Sequence, residues 1–201
     1  MWGLVEDNAI TKIINQPKGM VIGDTRHSRK IFSLWGEAER NAIGIYSVVF
    51  DNTNRKDEAY YTNTNQTFAF ADGAVTASYG SATALALADT LFTAQDEVDG
   101  KGTEGEVAAR GLKTNHKDKI KQQASSLLTN YDWYVIRKAD AGTAIPSAIT
   151  TYRAAVRTKS GEMETLIDNA ANVDALAALY EYTRQEDGSF TRPLGEFPEA
   201  V

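Results

Sequence analysis

The residues best suited to recognition chemistry lie between positions 131 and 157, where aromatic and basic side chains recur. Trp133 and Arg137 stand four residues apart, as do Arg153 and Arg157. On a helix this spacing places the members of each pair side by side. Trp, Tyr and Arg are the residue types enriched at the energetic centres of protein interfaces. The pattern predicts a partner-binding surface that contains Trp133, Tyr134, Arg137, Tyr152, Arg153 and Arg157.

The same stretch also fits a compact helical hairpin in which aromatic residues are buried. Helices are predicted over 132–140 and 147–159, joined by a turn at 142–146. Trp133 and Tyr152 would face each other, and arginines would cover the core or pair with Asp132 and Asp140. The expected core consists of Trp133, Ile136, Ile149, Tyr152 and Val156. A buried side chain is not available to a partner, so the sequence leaves the division between these roles open.

The sequence predicts no site for catalysis or metal binding. Gly100-Lys101-Gly102 lacks the upstream Gly and the following Ser or Thr of a phosphate-binding loop. Placed on a calcium loop, the same segment has Gln95 where Asp is expected. His27 and His116 are far apart in sequence and are predicted to be surface residues, and there is no cysteine. We therefore expect a protein that is not an enzyme and that has no cofactor and no metal.

Composition narrows the classes of partner. The net charge is −6, and the one concentrated basic run, 116–121, is interrupted by Asp118. Such a chain is poorly suited to binding nucleic acid through phosphates. No stretch approaches the roughly 20 apolar residues of a membrane span, so a soluble protein made in a cytoplasm is expected. The apolar share of 42% predicts a modest core, which partner contacts or self-association would help to stabilise.

The first 80 residues are predicted to form a small β-rich domain with one short helix. Asp7-Asn8-Ala9 and Asp72-Gly73 are predicted turns between strands, and the second, flanked by segments rich in β-branched or aromatic residues, is typical of a hairpin. Ser33 precedes a segment, 34–42, that is predicted to be the helix.

From residue 81 onward the composition favours helices. Residues 81–105 are predicted to be a connector, with an Ala/Leu-rich helix at 82–94 and a flexible, acidic, Gly-rich linker at 96–105. Residues 106–184 form the predicted helical region, which begins with an amphipathic helix from Glu106 and ends with a helix at 174–183. Residues 185–201 are predicted to be an extended tail. The fold class is therefore α+β, a β-rich domain followed by helices that include a hairpin.

Part of the chain resembles a known group of phage proteins. Residues 127–138 read LLTNYDWYVIRK, Ile145-Pro146 follow, and residues 151–157 read TYRAAVR. This pattern is similar to the C-terminal region of tail-fibre assembly proteins and tail assembly chaperones of tailed bacteriophages. The chain has Val156 where Leu is usual, and reads Thr158-Lys159-Ser160 where Asp, a hydrophobic residue and Pro often stand. Residues 32–35 and 42–46 also resemble a run in the small β domains that precede this region.

The resemblance implies a non-catalytic role in building or completing the tail or its fibres. The implied partners are phage tail-fibre or tail proteins, with homo-oligomerisation left open. The implied location is the host cytoplasm during assembly, or the virion tail if the protein is retained. Two alternatives stand beside it. One is a receptor- or carbohydrate-binding tip module that stacks sugars on Tyr60, Tyr61, Phe68 and Phe70, and the other is a virion glycan hydrolase.

Overall fold

The structure is a computed structural model that describes residues 1–201, and it divides into two units, Met1–Thr83 and Ala84–Val201. The elements of the first unit are β1 Trp2–Glu6, β2 Ala9–Ile14, β3 Met20–Ile22, β4 Thr25–His27, α1 Ile31–Leu34, α2 Glu37–Asn41, β5 Ile45–Asp51, β6 Tyr61–Thr62, β7 Thr67–Ala71 and β8 Ala74–Ser78, with β9 Thr83–Ala84 at its end. The fold class is α+β, as the sequence predicts.

Two tight turns build the main sheet of the first unit. Asp7 and Asn8, with φ of 50° and 62°, join β1 to β2, and Asp72 and Gly73, with φ of 51° and 73°, join β7 to β8. Positive φ at both central residues matches the twist of antiparallel strands, and Asp, Asn and Gly tolerate it best. Both predicted turns are therefore confirmed.

The sheet has the strand order β2-β1-β5-β8-β7, and only the β5–β8 pair is parallel. It curls, because its two edge strands, β2 and β7, contact each other. Gly3 lies against Val75 so closely that a Cβ would meet the Val75 methyl groups at 3.0–3.1 Å. The buried hydrophobic cluster of this unit consists of Leu4, Ile14, Met20, Ile31, Phe32 and Ile45.

The predicted helix at 34–42 is wrong in its extent. Trp35 is extended, with ψ of 142°, so the segment splits into α1 and α2. Gly36 is the N-cap of α2, and its backbone N–H donates to the Glu39 carboxylate at 2.7 Å. The first unit therefore has two short helices rather than one.

The second unit is mainly helical. Its elements are β10 Thr90–Leu91, α3 Ala94–Val98, β11 Val107–Ala109, α4 Leu112–Thr129, α5 Asp132–Ala141, α6 Ser147–Asn169, α7 Val173–Ala178, β12 Thr183–Arg184 and β13 Phe190–Thr191.

The centre of this unit is the antiparallel pair α4 and α6. Buried residues recur every four positions along α4, namely Leu112, His116, Ile120 and Ala124. They match a stripe on α6 that includes Ile149, Tyr152, Val156, Met163 and Ile167. The direction follows from ion pairs, because Lys117 contacts Asp168 at 2.8 Å and Lys121 contacts Glu164 at 3.5 Å. The spacing of the buried residues on both helices is the one expected of a stripe that faces the core.

The Ala/Leu-rich segment 82–94, predicted to be a helix, is mostly extended or irregular. The backbone carbonyls of Ala86 and Leu87 accept hydrogen bonds from the N–H groups of Leu112 and Lys113, at 2.9 and 3.0 Å. The Asp89 carboxylate accepts from the Gly111 N–H at 2.7 Å. These contacts satisfy donors at the start of α4, which has no side-chain N-cap of its own. Tertiary hydrogen bonds thus override the helix propensity of the segment.

Other predicted boundaries also shift. The helix expected from Glu106 begins at Leu112, since 107–109 pair with β10. The helix at 147–159 continues to Asn169, and the helix at 174–183 ends at Ala178.

The segments predicted as linker and tail carry structure of their own. Residues 96–105 overlap α3, whose N-cap Thr93 forms a capping box with Asp96. The predicted extended tail, 185–201, first folds back through a turn, so that Phe190–Thr191 pairs with Thr183–Arg184. Leu194 is fully buried, and its N–H donates to the carbonyl of Leu179 at 3.0 Å.

Candidate functional site

Helix α5 stands out because none of its side chains is buried. Trp133 is 49% exposed, Val135 42% and Ile136 67%. Two residues separate the helix from α4, and its C-cap is Gly142, whose left-handed φ of 66° is typical of a helix C-terminus. It is unusual for a helix of ten residues to expose several apolar side chains to water and to bury none.

Trp133, Tyr134 and Arg137 form one cluster on this helix, as their spacing predicts. The Arg137 guanidinium lies 4.6 Å from the Trp133 ring centroid and 5.3 Å from that of Tyr134. The two rings lie 3.9 Å apart. The Nε of Arg137 is buried without a hydrogen-bond acceptor in the protein. We call this cluster, with the neighbouring Ile136, the aromatic face of α5.

Tyr152 belongs to the core rather than to this face. It is buried against Ala124 and Val156, and its ring lies 5.2 Å from that of Tyr131. Burial raises the pKa of the Tyr152 hydroxyl above its ordinary value. The predicted contact between Trp133 and Tyr152 is wrong, because Tyr131, in the short junction between α4 and α5, packs against Tyr152 instead.

The expected hairpin core is therefore only partly present. Ile149, Tyr152 and Val156 are buried, as predicted, whereas Trp133 and Ile136 are exposed. Tyr152 and Val156 pack with α4 rather than with α5.

Arg153 connects the core to α5. It is only 8% exposed, and its Nη1 donates to the carbonyl of Leu128 at 2.9 Å and contacts the Asp132 carboxylate at 2.8 Å. The predicted pairing of an arginine with Asp132 is thus confirmed. Arg157, one turn later, is exposed and forms no ion pair.

A groove lies between α4 and α6 and reaches the first residue of α5. It has a volume of about 400 Å³, and its lining includes Lys121, Leu128, Asp132, Arg153, Arg157 and Ser160. We call it the basic groove. Asp132, at its rim, and Ile136 of the aromatic face stand four residues apart, so they lie on the same side of α5.

The structure thus sorts the six predicted residues by position. Trp133, Tyr134 and Arg137 form the aromatic face, Arg153 and Arg157 line the basic groove, and Tyr152 lies in the core. Sequence reasoning missed the C-terminal residues, since Phe197 packs on the same cluster and the Tyr131 hydroxyl donates to the Val201 carbonyl at 2.7 Å. No local pattern signals a contact that spans 70 positions.

The histidines and carboxylates of the chain form no metal site. No cluster of three or more His, Cys, Asp and Glu side chains could hold a metal ion. His27 contacts Trp35, with ring centroids 5.7 Å apart. His116, predicted to be at the surface, is buried and lies 4.9 Å from the ring of Tyr180. No helix in the structure combines the length and apolarity needed to cross a membrane.

The aromatic residues of the sugar-binding alternative, Tyr60, Tyr61, Phe68 and Phe70, are all half-buried. Phe68 and Phe70 are half-buried on one face of β7. Phe70 packs on Tyr46, with ring centroids 4.8 Å apart. Tyr61 is half-buried, with Lys56 lying 5.7 Å from its ring.

Comparisons with known proteins give no relative for this chain. No family model matches it, and neither the curated proteins nor the solved structures contain a match.

Proposed function

We propose that this chain is a non-catalytic protein associated with a phage tail or tail fibre. It binds fibre or tail subunits, either during assembly or as a retained virion component. The observation that carries the binding role is the aromatic face of α5, which presents Trp133, Tyr134 and Arg137 on a helix with no buried side chain. The phage setting rests on the resemblance of residues 127–157.

The proposed mechanism is contact alone. When a partner covers the exposed parts of Trp133 and Ile136, each Å² of apolar surface removed from water contributes roughly 25 cal/mol of favourable free energy to binding. Arg137, held over two rings, is already ordered, so it loses little side-chain entropy when a partner arrives. A rigid aromatic anchor beside a cation is typical of the centre of a protein interface.

Substitution of Trp133 tests the proposal. Trp133→Ala is expected to weaken binding to purified fibre or tail subunits of the same phage by about 30-fold, the effect of losing a hot-spot side chain of about 2 kcal/mol. Binding is measured by biolayer interferometry on immobilised subunits. Far-UV circular dichroism should show retained helicity, because Trp133 is half-exposed.

Phe190→Ala is the matched control, since Phe190 is an exposed aromatic residue on β13, outside α5. It should bind like the unsubstituted protein. Equal binding by all three proteins would exclude the aromatic face as the contact surface.

A further inference from the structure

The basic groove has an excess of cations in a chain whose net charge is −6. Lys121, Arg153 and Arg157 line it together with the carboxylate of Asp132. Arg153 contacts Asp132 at 2.8 Å, and Lys121 contacts Glu164 at 3.5 Å. Arg157 only donates a long hydrogen bond, of 3.5 Å, to the carbonyl of Arg153. Arg157 is therefore the cation of the groove without a carboxylate partner.

The Arg153 side chain is held in position by its own contacts. Both of its short polar contacts, to the Leu128 carbonyl and the Asp132 carboxylate, use Nη1. The other N–H groups of the guanidinium form no such contact. A guanidinium presents its donors in a fixed planar fork that suits the two oxygens of a carboxylate.

We infer that the basic groove accepts a carboxylate from an acidic segment of the partner protein, held by Arg157 and the remaining edge of Arg153. This inference rests on the proposed function and adds the chemistry of the partner. Ile136 stands four residues after Asp132 and three after Trp133, so an apolar residue beside the partner's carboxylate packs on Trp133 and Ile136. A protein carboxylate is favoured over a nucleic-acid phosphate, because the acidic chain repels a polyanion while one unmatched cation suits a single acidic side chain.

Two short peptides serve as probes. One is acetyl-Ala-Glu-Leu-Glu-Ala-amide, and the other carries Gln in place of both Glu residues. Each is titrated into the full chain while NMR follows the Nε–H signals of Arg153 and Arg157 and the indole N–H signal of Trp133. The acidic peptide should shift all three signals in a saturable way, and the Gln peptide should shift none of them.

Arg157→Gln is expected to weaken binding of the acidic peptide by about fivefold, the loss of one charge-assisted contact worth roughly 1 kcal/mol. Arg184→Gln is the matched control, because it removes the same charge from an exposed residue outside the groove. Equal shifts from both peptides, or equal weakening by both substitutions, would overturn the inference. So would inorganic phosphate that binds the groove more tightly than the acidic peptide.

The two proposals fail separately. If Trp133→Ala weakens subunit binding but the acidic peptide leaves the groove signals unchanged, the proposed function stands and the carboxylate inference is wrong. If the peptide binds as expected but no tail or fibre subunit does, the groove chemistry stands and the phage assignment is wrong.

Discussion

Arg153 links α5 to the helix pair α4 and α6. Its guanidinium bridges the last turn of α4, through the Leu128 carbonyl, and the first residue of α5, through Asp132. Both contacts are made by the Nη1 atom. The side chain thus joins the buried helix pair to the exposed helix that carries the aromatic face.

Arg153→Gln is expected to lower the free energy of unfolding of the helical unit by about 2–3 kcal/mol, because a buried hydrogen bond to a carbonyl and a contact with a half-exposed carboxylate are lost. Urea unfolding followed by far-UV circular dichroism measures this. Arg184→Gln, at an exposed position, should change stability by less than about 0.5 kcal/mol. Equal stability of the two variants would show that Arg153 does not anchor α5.

His116 makes the stability of the helical unit depend on pH. Burial lowers its pKa below the ordinary value of 6.5, and the positive charge of Lys119 lowers it further. The pKa of His116 is therefore lower in the folded protein than in the unfolded chain. At pH values above the unfolded-state pKa, the neutral side chain contributes its full stabilisation to the fold. That contribution is lost as the pH falls through the folded pKa.

The free energy of unfolding should therefore fall more steeply below pH 6.5 in the unsubstituted protein than in His116→Gln. Urea titrations at a series of pH values would give both curves. The difference between the two curves of unfolding free energy reports the contribution of His116, because both proteins carry the same carboxylates. Parallel curves would contradict the role of burial.

At the residue scale, sequence reasoning succeeds where contacts are local. The four-residue spacing of Trp133 and Arg137 predicts their contact, and the structure shows the cation over the ring. It fails where distant segments meet. Tyr131 and Phe197 complete the core around Tyr152, and no helical periodicity within 131–157 indicates that the C-terminus reaches it.

At the scale of elements, α6 is long and contains a glycine near its middle. Gly161 is exposed, and a Cβ added there would meet nothing within 4 Å. Glycine in a helix costs conformational entropy relative to alanine.

Gly161→Ala should raise the free energy of unfolding by about 0.5–1 kcal/mol. Gly111→Ala is a contrasting variant, because its Cβ would collide with the backbone of Ala88, and it should destabilise the protein. Urea unfolding of both variants tests the reasoning. A destabilised Gly161→Ala would show that the exposed face of α6 is more crowded than the structure indicates.

The elements predicted best are those fixed by their own turn chemistry. The hairpins at Asp7-Asn8 and Asp72-Gly73 need only two residues that accept positive φ. The helix predicted at 82–94 is wrong because backbone carbonyls of this segment accept hydrogen bonds from the first residues of α4. Those residues are too far away in sequence for a local pattern to indicate the contact. For α4, α5 and α6 the helical character was predicted, and the errors lie mainly at their ends.

At the scale of the whole molecule, the change in composition near residue 80 indicates the α+β class and the order of its parts. Each unit has a buried core of its own, around Ile45 in the first and around Val156 in the second. The sequence could not show which aromatic residues those cores would leave exposed. In the structure Tyr152 is buried and Trp133 is exposed, so only some of the six predicted residues can belong to a binding surface.

The most direct test of the binding claim is photo-crosslinking from α5. A photoreactive amino acid replaces Ile136, which is 67% exposed, in cells that express the chain from its natural genome, and mass spectrometry identifies the captured protein. The same substitution at Phe190, which is 62% exposed on β13, provides the comparison. We predict that position 136 captures a tail or tail-fibre subunit and that position 190 does not. Capture of no such subunit from position 136, or equal capture from both positions, would contradict the account.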